Sequence, residues 1–165
     1  MGKAEEGLRE AFAGESQANR KYLAFAKKAE EEGYPQVARM FRAAAAAETV
    51  HANNHLQALK AIGSTSDNLK EAIAGETHEF TKMYPEMLEN AKAEGNADAQ
   101  RSFHYANEVE KIHAALYKDL LDSLGKEQEE FSYYVCPVCG NTVAGKAPDE
   151  CPICSTKGEM FEEIK

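Results

Sequence analysis

The sequence predicts a mainly α-helical protein: a four-helix bundle followed by a small cysteine-bearing module. Three observations carry this prediction. Long stretches of Ala, Glu, Lys and Leu run with few breakers and no Trp, a helical composition. Within four of these stretches apolar residues recur at steps of three and four, the spacing of one helix face. All four cysteines, Cys136, Cys139, Cys151 and Cys154, fall in the last thirty residues, where Gly and Pro punctuate the chain.

The first helix is expected from Lys3 to Glu32, with Gly33 as its stop and Pro35 as the first residue of the second. The second helix carries an inward stripe of Val37, Phe41, Ala44, Glu48, His51, His55 and Ala58 or Leu59. It ends at Gly63-Ser64-Thr65-Ser66, and Ser66 or Asp67 is the expected cap of the third. The third helix reads Leu69, Ile73, Glu76, Phe80, Met83 and Met87. Pro85 lies inside that pattern and removes the amide that would bond the Thr81 carbonyl, so a kink or bulge is expected there. Gly95-Asn96 separates it from the fourth helix, which reads Phe103, Ala106, Glu110, His113, Tyr117, Leu120 and Leu124. Gly125 to Ser132 reads as a charged linker, and the expected domains are residues 1–130 and 131–165.

A chain of 165 residues holds one good core and a small appendage. Its net charge of −9 argues against nucleic acid as a partner, because phosphates would repel it. No run of 18 apolar residues exists to span a membrane. The N-terminal residues have no apolar core of a secretory signal, and Glu6 stands where a myristoylation signal wants Ser or Thr. The expected location is therefore cytoplasmic. There, two Cys-x-x-Cys pairs separated by eleven residues read as a tetrathiolate metal site rather than disulfides.

The helical part repeats. Glu48-Thr49-Val50-His51 and Glu110-Lys111-Ile112-His113 are both Glu-x-x-His. Ala-Gly-Glu triplets ending at Glu15 and Glu76 precede them by 33 and 34 residues. Phe41 and Phe103 each lie seven residues before the motif glutamate. Residues 3–62 and 67–125 thus read as two helical hairpins related by a pseudo-twofold axis.

Glu15, Glu48, Glu76 and Glu110 all fall on apolar stripes, where a bare carboxylate must lose its charge or find a cation. The i,i+3 spacing puts His51 beside Glu48 and His113 beside Glu110. Two such motifs plus a glutamate from each of two other helices match the ligand set of a carboxylate-bridged di-metal centre in a four-helix bundle. Oxygen-rich ligation with one imidazole per metal suits iron or manganese better than zinc or copper. Glu79, one turn after Glu76, can face the same cavity; five carboxylates against two divalent ions leave a charge of about −1. Tyr22 and Tyr84, each about two turns after a site glutamate, read either as core packing or as proton donors to a ligand carboxylate. His55 reads as a packing residue, and His78 and His104 as surface or supporting residues. At the four cysteines, the spacing alone leaves iron and zinc equally open.

Taken together, Phe12-Ala13-Gly14-Glu15-Ser16, Ala47-Glu48-Thr49-Val50-His51, Gly75-Glu76-Thr77-His78-Glu79, Met83-Tyr84-Pro85 and Glu108-Val109-Glu110-Lys111-Ile112-His113, followed by two Cys-Pro-x-Cys knuckles, resemble rubrerythrin over nearly the whole chain. The resemblance implies a ferritin-like four-helix bundle followed by a rubredoxin-like Fe(SCys)4 module. It implies two irons held by Glu15, Glu48, Glu76, Glu79, Glu110 and His113, and one iron at the cysteines, with zinc as its substitute. It further implies a peroxidase that reduces hydrogen peroxide to water for oxidative-stress defence, with electrons passing through the rubredoxin-like iron. His51 matches the histidine that exchanges with the extra glutamate, here Glu79, and Tyr22 and Tyr84 match the site tyrosines. The chain has no dinucleotide fingerprint, so electrons must come from a separate reductase or rubredoxin. Ser155 departs from the glycine usual at that knuckle.

Ferritin-like bundles need a long crossover between the second and third helices, which run parallel. Here the break is short. Returning along the axis to bring His51 and Glu76 level takes about 30 Å, while five extended residues reach about 18 Å. The expectation is a domain-swapped homodimer, in which the first hairpin of one chain meets the second hairpin of another. Two other functions compete: a ferroxidase or iron-handling protein, and a zinc-ribbon interaction module on a helical bundle.

Overall fold

The computed structural model of the chain describes residues 2–127 and 130–165. Met1, in the segment read for targeting, and Gln128 and Glu129, inside the expected linker, lie outside them. The chain divides into two compact units at the Gly63–Ser64 bond.

The first unit is an antiparallel hairpin of α1 (Lys3–Glu31) and α2 (Pro35–Ala58). Glu5 and Glu6 place negative charge at the positive N-terminus of α1. At its other end the Gly33 amide bonds the Glu30 carbonyl and the Tyr34 amide reaches Ala29, satisfying two carbonyls the helix leaves open. Pro35 then starts α2, where a missing amide is harmless.

The seam between the two helices differs from the expected stripe by about one position. Val37 remains 48% exposed, while Ala38, Ala45 and Ala52 are buried, Ala38 packing with Ala26 and Ala29 of α1. Small residues at heptad spacing let two helices approach closely. Asn19 of α1 ties them further, its Nδ2 donating to the Ala45 carbonyl at 2.7 Å and to Thr49 Oγ1 at 2.9 Å. A seam of methyl groups buries little, about 0.8 kcal/mol for each methyl-sized group.

The second unit begins with α3 (Thr65–His78). Its cap is Ser64, two residues earlier than the earliest expected candidate: Ser64 Oγ accepts from the Asp67 amide at 3.2 Å and donates to the Asp67 carboxylate at 2.6 Å. This is the reciprocal Ser-x-x-acid arrangement, in which Asp67 supports the cap instead of forming it. The third helix is not continuous. A π-helical segment, Glu79–Met83, separates α3 from α4 (Tyr84–Ala93), so the fault expected at Pro85 is found just before it. The Tyr84 amide reaches the Glu79 carbonyl, five residues back, as the wider π turn requires. Asn96 caps α5 (Ala97–Ser123), its Oδ1 accepting from the Ala99 amide.

The last part of this unit is a three-stranded antiparallel sheet in the order β2-β1-β3: β1 (Tyr133–Val135), β2 (Thr142–Ala144) and β3 (Glu162–Ile164). Tyr134 pairs with Val143 on one side and Glu163 on the other. Gly140 lies against α5, where an added Cβ would come 3.9 Å from Val109 Cγ1. No helix among the described residues is long and apolar enough to cross a membrane.

Candidate metal centres

Each unit builds one cluster of two carboxylates and an imidazole. In the first, ligand atoms of Glu15 on α1 and of Glu48 and His51 on α2 all lie within 4.8 Å of one another. His51 Nδ1 sits 2.9 Å from Glu48 Oε2, as the one-turn spacing dictates. The Glu48 side chain is largely covered, while His51 is half-exposed.

In the second unit, Glu76 on α3 and Glu110 and His113 on α5 form the matching cluster, again within 4.8 Å. His113 Nδ1 lies 2.8 Å from Glu110 Oε2 and 3.7 Å from Glu76 Oε1. All three side chains are mostly covered. Burial, the neighbouring Glu110 charge and the Glu79 charge raise the Glu76 carboxyl to about 7, although His113 opposes the shift. Burial and Glu79 push Glu110 upward as well. These acids gather where negative charge is unwelcome, which is the electrostatic demand of a cation site.

Glu79 starts the π segment and stands outside the three-residue cluster. Its charge nonetheless acts on Glu76, Glu110 and Tyr84. Tyr84 is shifted upward by burial first, then by Glu79, Glu110 and Glu76, so its phenol keeps its proton. Tyr22 belongs to an aromatic group with Phe25 and Phe41, at ring separations of 6.3 and 6.1 Å. Packing thus accounts for Tyr22's immediate surroundings, while Tyr84 stands in the field of three carboxylates. Close packing within the chain does not account for Gly14 and Gly75, since a Cβ at either would meet nothing within 4 Å.

The four cysteines converge in the sheet module. Cys136 Sγ lies 3.5 Å from Cys154 Sγ, Cys139 Sγ lies 3.5 Å from Cys151 Sγ, and all four sulfurs fall within 4.8 Å. These are free thiols, far beyond disulfide length. A tetrahedral metal with bonds of about 2.3 Å needs sulfurs roughly 3.8 Å apart, so the cage fits a single ion. The two knuckles match bond for bond. Cys136 and Cys151 amides reach the Asn141 and Thr156 carbonyls, and the Gly140 and Ser155 amides return to Cys136 and Cys151. Burial pushes the Cys139 thiol upward, a penalty that a bound cation would reverse.

Sequence reasoning missed Thr142. Its Oγ1 lies 2.9 Å from His113 Nε2, joining the sheet module to the cluster on α5. No periodicity could have found it, because the pair is separated by 29 residues and two kinds of structure.

Two family models match the chain: rubrerythrin over residues 6–121, and the rubrerythrin, rubredoxin-like domain over residues 134–162. Rubrerythrin-2 of Clostridium acetobutylicum is 42% identical, over 94% of this chain and 93% of that protein. Nigerythrin of Nitratidesulfovibrio vulgaris is 34% identical, over 98% of this chain and 86% of that protein. Among solved structures, nigerythrin in its fully reduced, all-ferrous state matches with a TM-score of 0.61 and 32% identity, over 99% of this chain and 88% of that one.

Proposed function

The chain belongs to the rubrerythrin family, and from that premise we propose that it is a non-haem di-iron peroxidase. It reduces hydrogen peroxide to water with electrons delivered through an iron at the four cysteines. The observation that carries this reading is the pair of Glu, Glu, His clusters in the helical part together with the single-ion sulfur cage. Glu15, Glu48, Glu76, Glu110 and His113 hold two irons. His51 and Glu79 are the exchangeable pair, and Cys136, Cys139, Cys151 and Cys154 hold the third iron. The proposed division gives residues 1–130 to the di-iron domain and 131–165 to the rubredoxin-like one.

Bound irons would supply two electrons and Lewis-acid activation of the O–O bond. The chain's own groups manage the protons. One peroxide consumes two electrons and two protons and yields two waters. Without metal the Glu76 carboxyl is raised to about 7, but as an iron ligand it would be ionised, so the proton must come from elsewhere. Tyr84, kept protonated among Glu79, Glu110 and Glu76, is the donor this reading uses, and Tyr22 takes the corresponding place in the first hairpin. Electrons enter from a separate reductase or rubredoxin, and on this reading the protein works in the cytoplasm against oxidative stress.

The reading includes a domain-swapped homodimer. Six residues, Leu59 to Ser64, connect α2 to α3, and fully extended they reach about 20 Å. Bringing His51 and Glu76 level in parallel helices needs about 27 Å of return. Val37, three helical turns before Glu48 and so on its face, is 48% exposed, and Phe25 beside Phe41 is 47% exposed. That face has apolar surface left to cover, and the second hairpin of another copy is the proposed cover.

Stopped-flow oxidation of the anaerobically reduced protein tests the activity. Peroxide is expected to oxidise it faster than air-saturated buffer does, with the red colour of oxidised Fe(SCys)4 returning last. Faster oxidation by oxygen, with iron accumulating beyond three ions per chain, would replace the peroxidase with a ferroxidase.

A further inference from the structure

We propose that Thr142 is a positioning residue for the second metal cluster: its hydroxyl holds His113 as the tautomer whose bare Nδ1 faces Glu76 and Glu110. The inference deepens the di-iron reading and rests on it.

Thr142 opens β2 opposite Val135, directly after the knuckle residue Asn141. Its Oγ1 lies 3.1 Å from the Gly140 carbonyl and 2.9 Å from His113 Nε2. A hydroxyl has one hydrogen, and a carbonyl can only accept. The Thr142 proton therefore goes to Gly140, and its free lone pair faces the imidazole. Nε2 must then be the donor. A neutral imidazole carries one proton, so Nδ1 is left bare. That nitrogen sits 2.8 Å from Glu110 Oε2, where two lone pairs repel unless a cation lies between them. Gly140 lies close enough to Val109 that an added Cβ would be in ordinary contact with it, about one turn before His113 along α5, so the seat of the sheet module and the aim of the ligand are set together.

The two histidines of the repeat are therefore unequal. His113 has the Thr142 hydroxyl at Nε2 as well as a carboxylate facing Nδ1, and its side chain is 28% exposed. His51 has only the carboxylate facing Nδ1 among the described residues, and its side chain is 52% exposed. The pseudo-twofold pattern makes both ligands, and Thr142 fixes only one. Freedom to leave the metal belongs to His51 because nothing comparable to Thr142 restrains it within its own hairpin.

The test uses the full-length protein with zinc at the cysteines and zinc titrated into the helical part as a diamagnetic probe. In the wild type, nitrogen-15 NMR is expected to show a slowly exchanging Nε2–H on His113 and none on His51. Thr142→Val keeps the shape and removes the hydroxyl. It should speed that exchange at least tenfold and weaken zinc binding in the helical part by about 10- to 100-fold. Thr142→Ser should restore both. A Thr142→Val protein that matches the wild type in exchange and affinity, or a Thr142→Ser protein that fails to recover them, overturns the role of Thr142 alone. A wild type that takes up no pair of zinc ions in its helical part overturns the di-metal reading and this inference with it.

Discussion

Tyr84 stands eight residues after Glu76, whereas Tyr22 stands seven after Glu15, and the π segment Glu79–Met83 takes up the difference. Seven residues of regular helix return nearly to the same face, but eight overshoot by roughly 80°. The wide turn absorbs the extra residue, so Tyr84 keeps the place relative to its glutamate that Tyr22 has in the first hairpin.

Tyr84 should therefore report the charge of Glu79. Subtracting the alkaline absorbance titration of Tyr84→Phe from that of the metal-free wild type isolates one phenol. Its midpoint is expected above 10, the ordinary value for tyrosine. The same subtraction on a Glu79→Gln background should move the midpoint down, because one of the opposing negative charges is gone. An unmoved midpoint would separate Tyr84 from Glu79.

Glu76 makes the metal-free protein weaker as pH rises. Its folded value of about 7 exceeds the ordinary 4.5, so between those values the folded state holds a proton that the unfolded state has lost. Stability then falls with pH across that window and levels off above it. Thermal melting of the metal-free protein from pH 4.5 to 8 should show the decline, and Glu76→Gln should flatten it. Divalent metal should raise the melting temperature most above pH 7, where the carboxylates bind without releasing protons.

Much of this was legible in the sequence for a physical reason. Glutamates and histidines on apolar stripes contradict their surroundings, and such contradictions show in a single chain. Ala-Gly-Glu, Glu-x-x-His and Cys-x-x-Cys are local spacings, set by the turn of a helix or a knuckle. The misses were of another kind. Ser64 rather than Ser66 caps α3 because several adjacent residues could serve and only packing chooses. The buried row of α2 is Ala38, Ala45 and Ala52 because a neighbouring helix selects small side chains over the more apolar Val37. Thr142 meets His113 only after a sheet has formed and seated on α5.

Ser155 is an improvable position. It holds φ near +60°, as Gly140 holds φ of +82° at the matching place in the other knuckle. A side chain there costs on the order of 1 kcal/mol, which glycine avoids. Ser155→Gly should stabilise the sheet module by about that amount and slow metal loss to a chelator, whereas Gly140→Ala should do the reverse. Chelator-driven bleaching of the two variants decides it.

Val37 tests the swapped dimer. A charge on a merely exposed helix position shifts stability by less than about 0.5 kcal/mol. If the Val37 face is covered by another copy, Val37→Glu should dissociate the dimer in sedimentation experiments and abolish uptake of the paired ions, while the sulfur cage still fills. An unchanged sedimentation coefficient with normal uptake would remove Val37 from any interface.

The row of methyl groups between α1 and α2 works as a caliper. Helices that meet through alanine can stand about 8 Å apart, against about 10 Å for bulkier contacts. Ala45 and Ala52 flank Glu48 by about one turn on either side, so helix spacing becomes carboxylate spacing. Which ionic radius the first cluster prefers is thus governed in part by side chains that never touch an ion, and a single added methylene in that row would widen the gauge.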